Sequence, residues 1–143
     1  MNDILFFYED TSYKIKNKKK LVGWIEKVCA NYHWGINIVN YIFCSDSYLL
    51  NINKEYLCHD FYTDIITFDL REDKNSKNKS LEADIYISID RVTENAIEYN
   101  VPFKEEILRV MIHGILHLTG LNDKTKLQKE KMRNEEQICV DLF

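Results

Sequence analysis

The chain has 143 residues, 45% of them hydrophobic and 29% charged, with 2 Trp, 9 Tyr and 7 Phe against 4 Gly and 1 Pro. That is one domain's worth of chain, residues 1–143, with too much apolar mass for a disordered, collagen-like or linker-like polypeptide. A formal net charge of −4 excludes a global attraction to nucleic acid or anionic membrane, so any RNA contact must come from a local basic surface.

Acidic residues outnumber basic ones only after Ser80, while lysines gather in two runs, Lys14, Lys16, Lys18, Lys19, Lys20 and Lys74, Lys77, Lys79. These runs, with Phe61 and Tyr62 as stacking surfaces, are candidates for binding RNA; as solvated loops they would serve solubility alone. Cys29, Cys44, Cys58 and Cys139 form no CxxC pair. The short apolar run Ile4 to Tyr8 is flanked by acidic residues and lacks the form of a secretory signal, so the thiols are expected buried and reduced in a cytoplasmic protein. No apolar stretch approaches the roughly 20 residues that span a bilayer.

In chain order, Asp3 to Tyr8 reads as a strand and Leu21 to Tyr32 as a helix with Leu21, Ile25, Val28 and Cys29 on one face. Ile36 to Cys44 is β-branched, aromatic and alternating, hence a strand. Asp46 or Ser47 is placed to cap a helix over Tyr48 to Glu55. Asp64 to Leu70 and Ala83 to Ile89 are two further strands, joined as a long hairpin by the polar, mobile loop Arg71 to Ser80. A short helix follows over Asp90 to Tyr99. Pro102, Glu105 and Glu106 then open a helix that stops at Gly120 and is apolar around most of its circumference, so it must be buried. A last helix over Thr125 to Val140 turns Leu127, Met132 and Ile138 inward. The expected fold is α/β (α+β): a four-stranded sheet packed with about five helices.

Polar residues on the buried helix fall on one line. Arg109, His113 and His117 are spaced four apart, and Asp123 follows three residues after Gly120. In the pattern His-x3-His-x2-Gly-x2-Asp, two imidazoles can converge on one metal ion, and the glycine lets the chain reverse so that a carboxylate approaches from another side. Three protein ligands with an open position is the catalytic form of a zinc site. A lone histidine on an apolar helix is ordinarily a hydrogen-bonded core residue, and bare HxxxH pairs recur by chance; here the pair, the glycine and the acid coincide. Metalloproteases of the HExxH type share the spacing but need a glutamate after the first histidine, where this chain has Gly114.

HGILHLTG, preceded by TDIITFDL (Thr63 to Leu70) and LEADIYIS (Leu81 to Ser88), resembles the YbeY family of bacterial rRNA maturation factors, which are metal-dependent endoribonucleases. The resemblance runs from about Leu50 onward. The family's usual motif, HGxLHLxGYDH, ends in a third histidine that falls on Asp123 here, its Tyr-Asp falling on Leu121 and Asn122. The resemblance thus implies His113, His117 and, with a change of ligand type, Asp123 as ligands of one Zn2+. Where family members commonly carry an arginine after the tyrosine matching Tyr56, this chain has Leu57; His59 or Arg109 would have to hold a substrate phosphate instead. As a surface histidine, His59 would have no such role, nor would Arg109 if paired with Glu105 or Glu106. Asp64 and Asp84 could order a ligand histidine or simply cap turns, and neither is given a catalytic role.

The reading that follows is a zinc-dependent, single-strand-specific endoribonuclease acting in rRNA maturation (16S rRNA 3′ end) and ribosome quality control, with single-stranded RNA, rRNA and the ribosome or its small subunit as partners and neither DNA nor membrane. Two alternatives stay open. One is a metallohydrolase or metalloprotease on another substrate, which Gly114 opposes; the other is a non-catalytic metal-binding ribosome assembly factor, which would want a fourth ligand, and Cys139 is far along the last helix.

Overall fold

Alternation of strand-forming and helix-forming segments produces nine elements in the computed structural model, which describes residues 3–75 and 77–143. They are β1 (Asp3–Glu9), α1 (Lys18–Asn31), β2 (Gly35–Cys44), α2 (Asp46–Leu57), β3 (Ile65–Asp69), β4 (Ser80–Ser88), α3 (Ile89–Glu98), α4 (Phe103–Leu118) and α5 (Lys126–Asp141). The strands form a single mixed sheet in the order β1-β2-β4-β3, with β1, β2 and β4 parallel and β3 antiparallel to β4. The four-strand, five-helix α+β expectation and the β3–β4 hairpin both hold. Ser76 of the predicted mobile loop lies outside the described residues.

Side-chain alternation decides what each face of the sheet carries. Val39, Tyr41 and Phe43 of β2 join Leu81, Ala83, Ile85 and Ile87 of β4 in one apolar core with α1, α4 and α5. On the other face, Cys44 and Ile66 pack with Leu49 of α2. Helix α4 is sunk deepest: Met111, Ile112, Ile115 and Leu116 are fully enclosed, and the Tyr41 hydroxyl donates to the Met111 carbonyl at 3.0 Å. Ser45, not Asp46 or Ser47, caps α2, its side chain accepting from the Tyr48 N–H, while Asp46 is turned to an ion pair with Arg91.

The expected inward face of α5 needs correction. Leu127 and Ile138 are 78% and 56% exposed, and the buried stripe is Met132, Glu136 and Cys139. Spacings of four and three follow the helical period, whereas Leu127, Met132 and Ile138 lie five and six apart and cannot share a face. Of the cysteines, Cys29, Cys44 and Cys139 are buried as expected and Cys58 is exposed; all four are free.

Phe43→Ala should therefore cost about 3–5 kcal/mol of unfolding free energy, and Leu127→Ala within about 0.5 kcal/mol of zero, as read by urea denaturation. Equal losses would contradict this assignment of the core.

Candidate metal centre

The site grows out of the constraint that polar groups on a buried helix must find partners. His113 and His117 lie one turn apart on α4, ring centroids 4.5 Å from each other. The helix stops at Thr119, Gly120 adopts φ 112°, a conformation glycine accepts without strain, and the reversed chain brings Asp123 back over both rings. Asp123 Oδ2 is 3.6 Å from His113 Nε2 and 3.4 Å from His117 Nε2. One ligand atom from each of the three residues lies within 4.8 Å of the others.

The remote ring nitrogens are also engaged. His113 Nδ1 is 2.6 Å from Glu136 Oε2 of α5, and His117 Nδ1 is 2.9 Å from the Leu121 carbonyl oxygen. Both partners are acceptors, so each Nδ1 donates to its partner and Nε2 is the ring nitrogen turned toward Asp123. That is the tautomer a metal ligand needs, held by hydrogen bonds to the far side of the ring. Two imidazoles and a carboxylate also make a donor set suited to zinc. Burial alone would hold the His113 pKa down, yet the Glu136 hydrogen bond and the charges of Glu136, Asp123 and Asp64 outweigh it and raise it.

Glu136 is itself supported. Arg109, one turn before His113, sits 3.7 Å from Glu136 Oε1 and 3.6 Å from Glu106 Oε1, and donates to Gln137 Oε1 at 2.7 Å. The arginine considered for a substrate phosphate is thus paired with carboxylates, Glu106 among them, in a small polar cavity of about 250 Å³ behind His113. Glu106 is 3% exposed and burial pushes its pKa up to about 7, against the pull of Arg109.

In front of the histidines lies a larger cleft of about 560 Å³, bounded by β3 and the α2–β3 connection, into which His59, Phe61, Asp64 and Thr67 also face. His59 stacks on Phe61 with centroids 5.0 Å apart, and Phe61 and Tyr62 are more than half exposed. Of the two strand-edge acids, Asp64 reaches the cleft, where burial raises its pKa, and it accepts from Asn95 Nδ2 at 3.2 Å. Asp84 pairs instead with Asn40. Gly114 has a packing reason: a Cβ there would come within 3.1 Å of Thr67 Oγ1 and 3.2 Å of Ile65 and Ile85 Cδ1. α4 therefore lies close against the sheet, and a side chain at position 114 would press the Thr67, Ile65 and Ile85 side chains back by a few tenths of an ångström.

A family model for the endoribonuclease YbeY matches residues 6–143. The chain belongs to the YbeY endoribonuclease family. Relatives bearing that name include one from Cytophaga hutchinsonii, 46% identical over 97% of this chain and 94% of the relative, and one from Amoebophilus asiaticus, 45% identical over 96% and 91%. A Thermotoga maritima protein solved in solution superposes with a TM-score of 0.63 at 27% identity, covering 95% of this chain and 87% of that one. Membership in the YbeY family makes the chain a nuclease acting on RNA. No helix is long and apolar enough to cross a membrane among the described residues.

Sequence reasoning missed Glu136, while the Arg109–Glu106 pair is one it offered. The signal for Glu136 was present: an acid interrupts the Met132, Glu136, Cys139 stripe of α5, and a charge at a buried position requires a partner.

Because the folded state holds Glu106 at about 7 against an ordinary 4.5, folding favours its protonated form. The stability this contributes is present below pH 4.5 and is lost as pH rises through 7. Glu106→Gln, neutral throughout, should exceed the parent in stability by about 1–3 kcal/mol above that pH, the gap closing toward acid. Denaturation at pH 5 and pH 8 checks this, and a gap of constant size would refute it.

Proposed function

We propose that the chain is a zinc-dependent, single-strand-specific endoribonuclease that acts in the cytoplasm on rRNA, at the 3′ end of 16S rRNA in the ribosome or its small subunit, and in ribosome quality control, as one domain spanning residues 1–143. The observation that carries the chemistry is the convergence of His113 Nε2, His117 Nε2 and Asp123 Oδ2 at the floor of the cleft. These three residues would hold the ion. When bound, it would supply Lewis-acid polarisation of a phosphodiester oxygen.

The chain's own residues supply the rest. Glu136 and the Leu121 carbonyl keep both imidazoles in the ligating tautomer, and Arg109 holds Glu136 in place rather than contacting substrate. His59, at the cleft wall and stacked on Phe61, is the residue assigned to a substrate phosphate, in the neighbourhood where Leu57 replaces the family's arginine. Phe61 and Tyr62 are more than half exposed, with His59 on one face of Phe61 and the Arg91 guanidinium over Tyr62, and the ring surface left can meet unpaired bases, which a paired duplex could not present; this supports single-strand preference. Three aspartates line the cleft. Asp69 is locked to Arg71 in an ion pair of 2.8 Å, Asp123 is a ligand, and Asp64 is left to accept or return a proton. Its raised pKa suits that task better than an ordinary aspartate's would.

A peptidase reading has no base at Gly114. A purely structural metal would need a closed set of four ligands, and among the described residues the group has three.

Purified protein should cut single-stranded RNA, stop when a strong chelator is added, and resume with zinc; His117→Ala should lose the activity. Equal cutting by all samples would refute the assignment. Asp64→Asn should retain metal and lose about 10²–10⁴ in kcat; unchanged kcat would remove Asp64 from proton transfer.

A further inference from the structure

Away from the metal centre, the segment joining β1 to α1 meets the N-terminal turn of α4 around a second cleft of about 370 Å³. Its walls are apolar and aromatic: Tyr13, Ile15, Leu21, Phe103 and Phe143, with Tyr13 and Phe103 edge to face at 5.5 Å. Its rim is cationic. Lys14, Lys16 and Lys104 line it, and Lys18, Lys19 and Lys20 follow in the first turn of α1.

Among the described residues none of these six lysines lies in an ion pair; the salt bridges of the protein are elsewhere. Four are drawn over ring faces instead. Lys14 Nζ is 4.1 Å and Lys18 Nζ 6.0 Å from the Tyr8 centroid, and Lys20 and Lys104 are 4.2 and 5.5 Å from that of Phe143. Lys14, Lys16 and Lys104 at the rim have no ion-pair partner among the described residues and repel one another, and an anion placed among them relieves that repulsion, while Lys18 and Lys19 line a neighbouring groove with Glu26. α1 has neither a side-chain cap nor an acidic residue in its first turn, so its N–H groups add to the positive potential, while Glu105 and Glu106 offset that of α4.

We propose that this cleft is a second RNA-binding site, which takes one nucleotide of a single strand with its base against Tyr13, Phe103 and Phe143 and its flanking phosphates among Lys14, Lys16 and Lys104. The inference rests on the endoribonuclease reading. Recessed rings beneath a lysine rim match the stacking platform and cationic track of single-strand recognition. An anionic membrane would be met by protruding apolar residues, whereas these rings are recessed, as a flat base requires. Lys104 and His117 sit near opposite ends of α4, about 20 Å apart at about 1.5 Å per residue, so the site anchors substrate and leaves the reacting phosphate to the metal centre. It supplies the local attraction that net charge denies.

The test compares the parent with a Lys14→Ala, Lys16→Ala, Lys104→Ala triple variant. Affinity for an unstructured, cleavage-resistant 2′-O-methyl oligoribonucleotide is read by fluorescence anisotropy over a salt series, beside turnover of a trinucleotide too short to reach both sites. The triple variant should bind roughly tenfold more weakly, with a log–log salt slope shallower by about 2, at about 0.7 per lost phosphate contact. Trinucleotide turnover should stay unchanged. Photocrosslinking of 4-thiouridine-containing RNA to the parent, which needs no variant to fold, should label Tyr13, Phe103 or Phe143. A parent that cuts RNA while the variant keeps its affinity and slope, or crosslinks confined to Phe61 and Tyr62, would overturn the second site alone. A parent that neither binds nor cuts RNA would overturn the endoribonuclease reading and the site with it. Loss of binding to phosphatidylserine vesicles with RNA binding intact would reassign the cleft to a membrane and overturn the proposal.

Discussion

A carboxylate taken out of water must be paired, and in this protein the pairing of Glu136 with His113 joins α5 to α4 and aims the site. Removing one partner of such a pair is costly because the other is left buried and charged, so fold stability and ligand orientation are coupled through the same contact. Arg109 and Glu106 extend the network into the small cavity behind His113. Glu106, deepest of the group, has its pKa raised by that burial against the pull of Arg109.

Close packing supplies the second constraint. The missing Cβ of Gly114 lets α4 sit against β3 and β4, which sets the histidines beside the cleft that β3 borders. The same position lacks the glutamate that the protease pattern requires. One glycine thus serves the close packing of the helix on the sheet and leaves the HExxH base absent.

Much of this was legible in the sequence, for identifiable reasons. The four-residue spacing of His113 and His117, the helix stop at Gly120 and the acid at Asp123 are local features, and the chain between them is too short to place them apart. Long periodic elements were equally readable, and so was the β3–β4 hairpin. What depends on elements meeting across the fold was not. The parallel placement of β1, β2 and β4 follows from crossovers that periodicity does not encode. Arg109 could be placed beside Glu106 by spacing, but its contacts with Glu136 and Gln137 exist only once α5 docks. On α5, hydrophobicity and period disagree: Leu127 and Ile138 are apolar yet exposed, and the helical period places the acidic Glu136 inward between Met132 and Cys139.

The central claim is that His113, His117 and Asp123 together bind one metal ion. Its most direct test is elemental analysis of the purified parent and Asp123→Ala proteins, with circular dichroism to establish that both are folded. A stoichiometric metal content in the parent that collapses in folded Asp123→Ala is the predicted result. Equal metal content in the two proteins would contradict it.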